Sequence, residues 1–302
     1  MKSRPFKQVD VFTTQGYFGN PVAVVLDGSD IDDDAMQRFA RWTNLSETTF
    51  VLPPTAPGAD YRLRIFTPGG ELPFAGHPTL GSCHAWLEAG GKQKSAHQIV
   101  QQCAQGLVPI RRDGERLVFG APPSSRTAPS PTLLAKVAGA LGIRASQIVS
   151  AQLLDNGPVW LGLLLQDEAT VLALQPDHRA LKELRTKVGV AGIPAAKDTA
   201  SPLLIARKNR EARAFADATG PVDLEVRVFA AAVGIEEDPV TGSFNASLAQ
   251  WLIDEGHMPA QYVVGQGQAL GRSGRVHVQR DGDGQVWIGG ASVTCIDGTV
   301  ML

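Results

Sequence analysis

The chain has 302 residues, 43% of them hydrophobic, with a formal net charge of −2. That length can bury one large core or two ordinary ones, and the near-balanced charge without a long like-charge run argues against a nucleic acid or an anionic membrane as partner. No apolar stretch is long enough to span a bilayer, the start lacks a signal core, and three scattered cysteines, Cys83, Cys103 and Cys295, fit a reducing cytoplasm better than a disulfide scaffold.

Residues 9 to 26 alternate and end in the apolar run Pro21 to Leu26, with Gly19-Asn20 between, which predicts strand, turn and strand. Ile31 to Thr43 predicts a helix: Asp32, Asp33 and Asp34 suit the positive end of its dipole, and Met36, Phe39 and Ala40 share a face. Thr48 to Leu52 and Tyr61 to Phe66 predict strands. Residues 121 to 132, rich in Pro and Ser, predict a linker. A second helix and strand series follows, including a short buried strand at Val159 to Leu165. The tail, Gln285 to Leu302, is strand-like again. The expected domains are 1–122 with 286–302, and 123–285.

An internal echo stands out. Arg64-Ile65-Phe66, a loop, and His77-Pro78-Thr79-Leu80-Gly81-Ser82 lead into a helix near Trp86-Leu87. Arg227-Val228-Phe229, a loop, and Asp238-Pro239-Val240-Thr241-Gly242-Ser243 lead into a helix with Trp251-Leu252. The pattern X-Pro-x-x-Gly-Ser recurs at an offset of 238 minus 77, or 161 residues. Such turn chemistry also repeats by chance. Two helix starts facing one cleft would form an anion site from dipoles and unpaired amides, suited to a substrate carboxylate.

Glu47 lies between a helix and a strand. Ser46 and Thr48 can orient it, and Leu45, Phe50 and Val51 can desolvate it; the plainer alternative is an exposed turn glutamate. His77 and Asp238 occupy matching places in the echo, as site residues or as simple N-caps. Ser243 can cap its helix or donate to a substrate. Glu236 and Glu237 crowd Asp238, which can hold one carboxyl protonated. Gly265 to Gly271 is spaced wrongly for a dinucleotide loop and is followed by strand-like residues, so it predicts a connection between strands. No Gly-x-Ser-x-Gly elbow is present, and His84, His97, His178, His257 and His277 are isolated.

Several segments together resemble the phenazine-biosynthesis PhzF-like family of isomerases. They are Val9-Asp10-Val11-Phe12 with Gly19-Asn20-Pro21, Ser46-Glu47-Thr48, Phe74 to Gly81, Glu237 to Ser243, Gln266-Gly267 through Gly271-Arg272, and Gly289-Gly290. The resemblance implies an α/β (α+β) diaminopimelate epimerase-like fold. In it, two pseudo-symmetric domains each wrap a curved mixed sheet around a central helix, with the cleft between them. It implies Glu47 as catalytic acid/base with His77, Asp238 and Ser243. Asn20, Gly76, Thr79, Gly81, Ser82 and Gly242 are then substrate-binding. It further implies no metal, no cofactor, a small carboxylate substrate and a cytoplasmic homodimer. In the racemases of this fold paired cysteines act as acid and base; Cys83 lies six residues past His77, which disfavours that chemistry. Phe244 after Ser243 and Ser273 after Arg272 depart from the family's usual residues and bear on which substrate is taken. The expected reaction is a double-bond shift or tautomerisation. The alternatives are epimerisation at one carbon and non-catalytic carboxylate binding; a nicotinamide dehydrogenase fits the glycine loop poorly.

Overall fold

The computed structural model describes residues 1–195 and 220–302. The chain forms two compact units, Met1–Gly120 with Trp287–Leu302, and Ala121–Val286. Among the described residues no helix is long and apolar enough to cross a membrane.

In the first unit the strand Ser3–Val11 pairs antiparallel with Ser292–Met301 and with Asn20–Val25. Asn20–Val25 runs parallel to Glu47–Leu52, which pairs antiparallel with Tyr61–Thr67. Tyr61–Thr67 carries the short antiparallel strand Gly70–Leu72 and, alongside, the parallel strand Ile99–Cys103. Gly106–Asp113, Arg116–Gly120 and Val286–Gly290 continue antiparallel. The helix Gly76–Glu88 packs on strands from both ends of this order, so the sheet curls around it. Its residues Gly76 to Cys83 are all buried. An outer helix, Asp33–Thr43, covers the other face through Met36, Phe39 and Ala40 against Phe50 and Phe66. Asp32 caps it, accepting from the Ala35 amide at 2.7 Å.

The second unit repeats this order. Ile148–Asp155 pairs antiparallel with Val159–Leu165, which runs parallel to Lys187–Gly192, itself antiparallel to Leu224–Ala230. Leu224–Ala230 carries the short antiparallel strand Ile235–Asp238 and the parallel strand Gln261–Gln266, followed by Gly274–Arg280. The central helix here is Gly242–Asp254, and outer helices Pro131–Leu141, Glu168–Leu172 and His178–Glu183 form an apolar layer with Leu161, Leu163, Val188 and Val190.

Two expectations are corrected. Residues 121–132 are no loose linker: Ser125–Thr127 pairs with Ile148–Asp155, and Ser130 caps a helix that opens on Pro131. The Pro/Ser richness is helix-start chemistry. The echo is real, but its register differs. Both central helices have thirteen residues and begin on glycine, so their starts are offset by 242 minus 76, or 166 residues. Gly81-Ser82 lies mid-helix, whereas Gly242-Ser243 starts one. The matching segments are Glu71-Leu72-Pro73-Phe74-Ala75-Gly76 and Glu237-Asp238-Pro239-Val240-Thr241-Gly242. His77 therefore matches Ser243, and Asp238 matches Leu72.

The glutamate of each segment makes a two-pronged pair with the arginine of each Arg-x-Phe. Arg64 Nε and Nη2 donate to the two Glu71 oxygens at 2.7 Å, and Arg227 Nε and Nη2 to those of Glu237 at 2.9 Å. Each arginine also stacks on its own phenylalanine, Phe66 or Phe229. These forks pin the hairpin that delivers each central helix.

The Arg227–Glu237 side chains are 5% and 7% exposed, those of Arg64 and Glu71 15% and 36%. Arg227→Met strands a buried carboxylate, and about 3–5 kcal/mol should be lost in urea titration, against about 1 kcal/mol for Arg64→Met. Equal losses would disprove the ranking. A Cβ at Gly189 would run into the buried Phe244 ring. Gly189→Ala should cost about 1–3 kcal/mol, whereas Gly139→Ala, on the exposed face of the helix Pro131–Leu141 with open space around it, should leave the urea midpoint unchanged or raise it.

Candidate active site

Glu47 opens its strand, paired with Val22 on the parallel neighbour. Thr49, two residues on, hydrogen-bonds Ser82 of the central helix at 2.8 Å, so residues 47, 49 and 51 face that helix. Thr48 and Phe50 face the other way. Thr48 bonds Thr43 at 2.7 Å, and Phe50 belongs to the outer-helix layer. The expected desolvation of Glu47 by Phe50, and its orientation by Thr48, are thus corrected by strand alternation. The helix-facing position itself shields the carboxyl, whose side chain is 12% exposed.

His77 is the second residue of the central helix, and its Nε2 lies 3.4 Å from Glu47 Oε2. This is a close approach, longer than a well-formed hydrogen bond. Burial drives the imidazole pKa down to about 3, opposed by a hydrogen bond to the Pro21 carbonyl. The ring is therefore neutral at working pH, and the contact is no ion pair. The Asn20 amide nitrogen is 3.4 Å from Nδ1. If Asn20 donates to Nδ1, the ring proton sits on Nε2 and faces the Glu47 carboxylate. If Nδ1 donates to the Pro21 carbonyl, Nε2 is bare and faces the carboxylic acid. A change of tautomer thus matches either protonation state of Glu47 without forming an imidazolium.

The other first-unit candidates divide. The Thr79 amide already bonds the Ala75 carbonyl at 3.2 Å, so Gly76 and His77 precede the first intrahelical bond. Thr79 Oγ1 accepts from Gln101 at 2.9 Å, and Ser82 is engaged with Thr49, so both hydroxyls serve the interior. Gly81 lies buried against Val11 and Val22. Cys83 is fully buried and its thiol is pushed up to about 12, which removes it as a thiolate base.

In the second unit Asp238 ends a strand and is not an N-cap. Its Oδ2 accepts from Thr241 Oγ1 at 2.5 Å. Its expected crowding is relieved, because Arg227 neutralises Glu237. Gln266 organises the helix start. It donates to the Asp238 carbonyl at 3.0 Å and accepts from the Thr241 amide at 3.1 Å and from Asn245 at 2.8 Å. Gly267 follows it with φ +95°, and a Cβ there would sit 2.6 Å from the Pro239 carbonyl oxygen, so this turn requires glycine. Gly242 and Ser243 precede the first intrahelical bond, from the Asn245 amide to the Thr241 carbonyl, and the Ser243 carbonyl accepts from Asn156 at 2.9 Å. Sequence reading placed Gln266 in a family segment without a role and passed over Asn156 and Asn245; the side-chain bonds across 21 to 87 residues that define them have no local signal. Among the described residues, no group of three or more His, Cys, Asp or Glu side chains is placed to hold a metal ion.

Two like units, each curling a mixed sheet around a buried helix with polar groups at its start, define the architecture shared by PhzF proteins and proline-racemase-like enzymes. The phenazine biosynthesis-like (PhzC-PhzF) family model matches residues 9–298, and the chain belongs to that family, whose curated members include isomerases. A Pseudomonas aeruginosa protein named trans-2,3-dihydro-3-hydroxyanthranilate isomerase is 34% identical over 92% of this chain and 90% of its own. A Schizosaccharomyces pombe protein named antisense-enhancing sequence 1 is 36% identical over 99% of each. A Bacillus anthracis PhzF-family crystal structure matches 100% of both chains with a TM-score of 0.79 at 22% identity.

The depressed His77 pKa has a signed consequence. Between pH 6.5 and about 3 the unfolded chain binds a proton at this residue that the folded chain refuses, so stability is lost as the pH is lowered through that window. In His77→Gln the loss between pH 6.5 and 4 should be shallower by urea titration; an identical slope would refute the burial of a neutral ring.

Proposed function

We propose that this isomerase moves a proton on a small carboxylate-bearing substrate, with Glu47 as general acid/base and no cofactor in the cycle. The observation that carries this reading is the shielded Glu47 carboxyl beside a neutral histidine at the start of a buried helix. Glu47 takes a proton from a saturated carbon next to a conjugated system. The electron pair of that C–H bond shifts the double bonds, and Glu47 returns the proton to a distal carbon. Composition is unchanged, so the outcome is an isomer. His77 relays or retains the proton through its tautomers, while the Ser243 hydroxyl and the amides of Gly76, Gly242 and Ser243 donate to the negative charge that develops, and Asp238, accepting from Thr241, holds the second helix start in place. The names of the relatives make trans-2,3-dihydro-3-hydroxyanthranilate the first substrate to try.

Glu47→Gln keeps the size and removes the base. On that substrate kcat should fall about 10²- to 10⁴-fold with KM little changed. In deuterium oxide the wild type should place label on the distal carbon. Full turnover by Glu47→Gln would end this role, and label confined to the original carbon would point instead to epimerisation.

A further inference from the structure

The repeated register assigns a counterpart to Glu47. In the first unit the parallel pairing begins Val22 opposite Glu47, and in the second it begins Trp160 opposite Lys187. Each residue opens a six-residue strand. Gly189 abuts the Phe244 ring of the central helix, so residues 187, 189 and 191 face that helix, as 47, 49 and 51 do in the first unit. The position that holds a carboxylate in one unit holds an ammonium in the other.

The surroundings of Lys187 offer an aromatic face but no counter-charge among the described residues. Its Nζ lies 4.9 Å from the Trp160 ring centroid, and Trp160 packs edge-on against Phe244, the third residue of the central helix, at 5.7 Å. Among the described residues Lys187 meets no carboxylate, and burial alone acts on its charge, pushing its pKa down. A helix start carries positive charge and disfavours a cation. The Trp160 indole N–H, on a residue 4% exposed, finds no acceptor. Ammonium, helix start and unsatisfied donor all ask for an anion. In the first unit this strand position supplies that charge as Glu47; in the second it does not, and the nearby Asp238 is already engaged by Thr241.

We propose that Lys187 is a substrate-binding residue of the second unit that recognises the carboxylate of an aromatic or cyclohexadiene acid, with Trp160 packed beneath it. This rests on the reading above that the substrate bears a carboxylate. An ion pair formed in a half-dry setting is worth more than one in open water.

Calorimetric titration with 3-hydroxyanthranilate and with 2-aminophenol, the same ring without its carboxylate, tests this. The wild type should bind the acid at least tenfold more tightly. Lys187→Met should erase that preference by weakening the acid tenfold or more while leaving 2-aminophenol unchanged, and Lys187→Arg should retain most of it. Glu47→Gln should keep the preference. The melting temperature of Lys187→Met should equal or exceed that of the wild type, since a desolvated charge is removed; should it not fold, Lys187→Gln takes its place. A preference intact in Lys187→Met overturns the role of Lys187 alone. A wild type that does not prefer the acid overturns the carboxylate reading of the substrate, and this site with it.

Discussion

Burying a helix from its first residue is the constraint on which the structure depends. A helix start leaves amides that no earlier turn can satisfy, and it carries partial positive charge. On a surface, water answers both. Here Gly76 to Cys83 and most of Gly242 to Leu252 are buried, so the protein must answer them. Gln266 and the Asp238–Thr241 contact do so in the second unit, and Asn20 and Glu47 crowd the start of the first. What is left over is the pair of amides at each start that precede the first intrahelical bond.

The two units share a scaffold and differ in the polar residues it carries. Strand order, helix length and the Arg–Glu fork are common to both, because they hold a curled sheet on its helix. The chemical positions differ one by one: Glu47 against Lys187, His77 against Ser243, Leu72 against Asp238. Polar character moves between the units while the packing around it stays fixed. A duplicated frame therefore tolerates unlike residues at its helix starts, which is where a family can change substrate without changing fold.

Much of this was legible in the sequence. The capped helix at residues 33–43, the strands around Glu47 and the buried run Val159–Leu165 follow from spacing alone. The echo was legible as a fact but not in its register. Proline, glycine and serine recur in every turn, so His77-Pro78 aligned with Asp238-Pro239 by composition. The true marker is a glutamate that answers an arginine across a hairpin, and only paired strands reveal that contact. Phe50 and Thr48 were assigned to Glu47 because they are neighbours in sequence, whereas strand alternation turns them to the opposite face. Lys187 carries no local signal: a lysine at a strand start is ordinary until its register partner is known.

The pairing of Ser3–Val11 with Ser292–Met301 reaches beyond the site. A sheet that joins residues nearly 300 positions apart cannot be completed until Ser292–Met301 leaves the ribosome, whereas the described strands of Ala121–Val286 have emerged by then. Vectorial synthesis thus lets the second unit mature first. The early strands, Glu47 among them, wait with open edges for a late partner, so the first unit is the one exposed to mispairing and to chaperones during biogenesis.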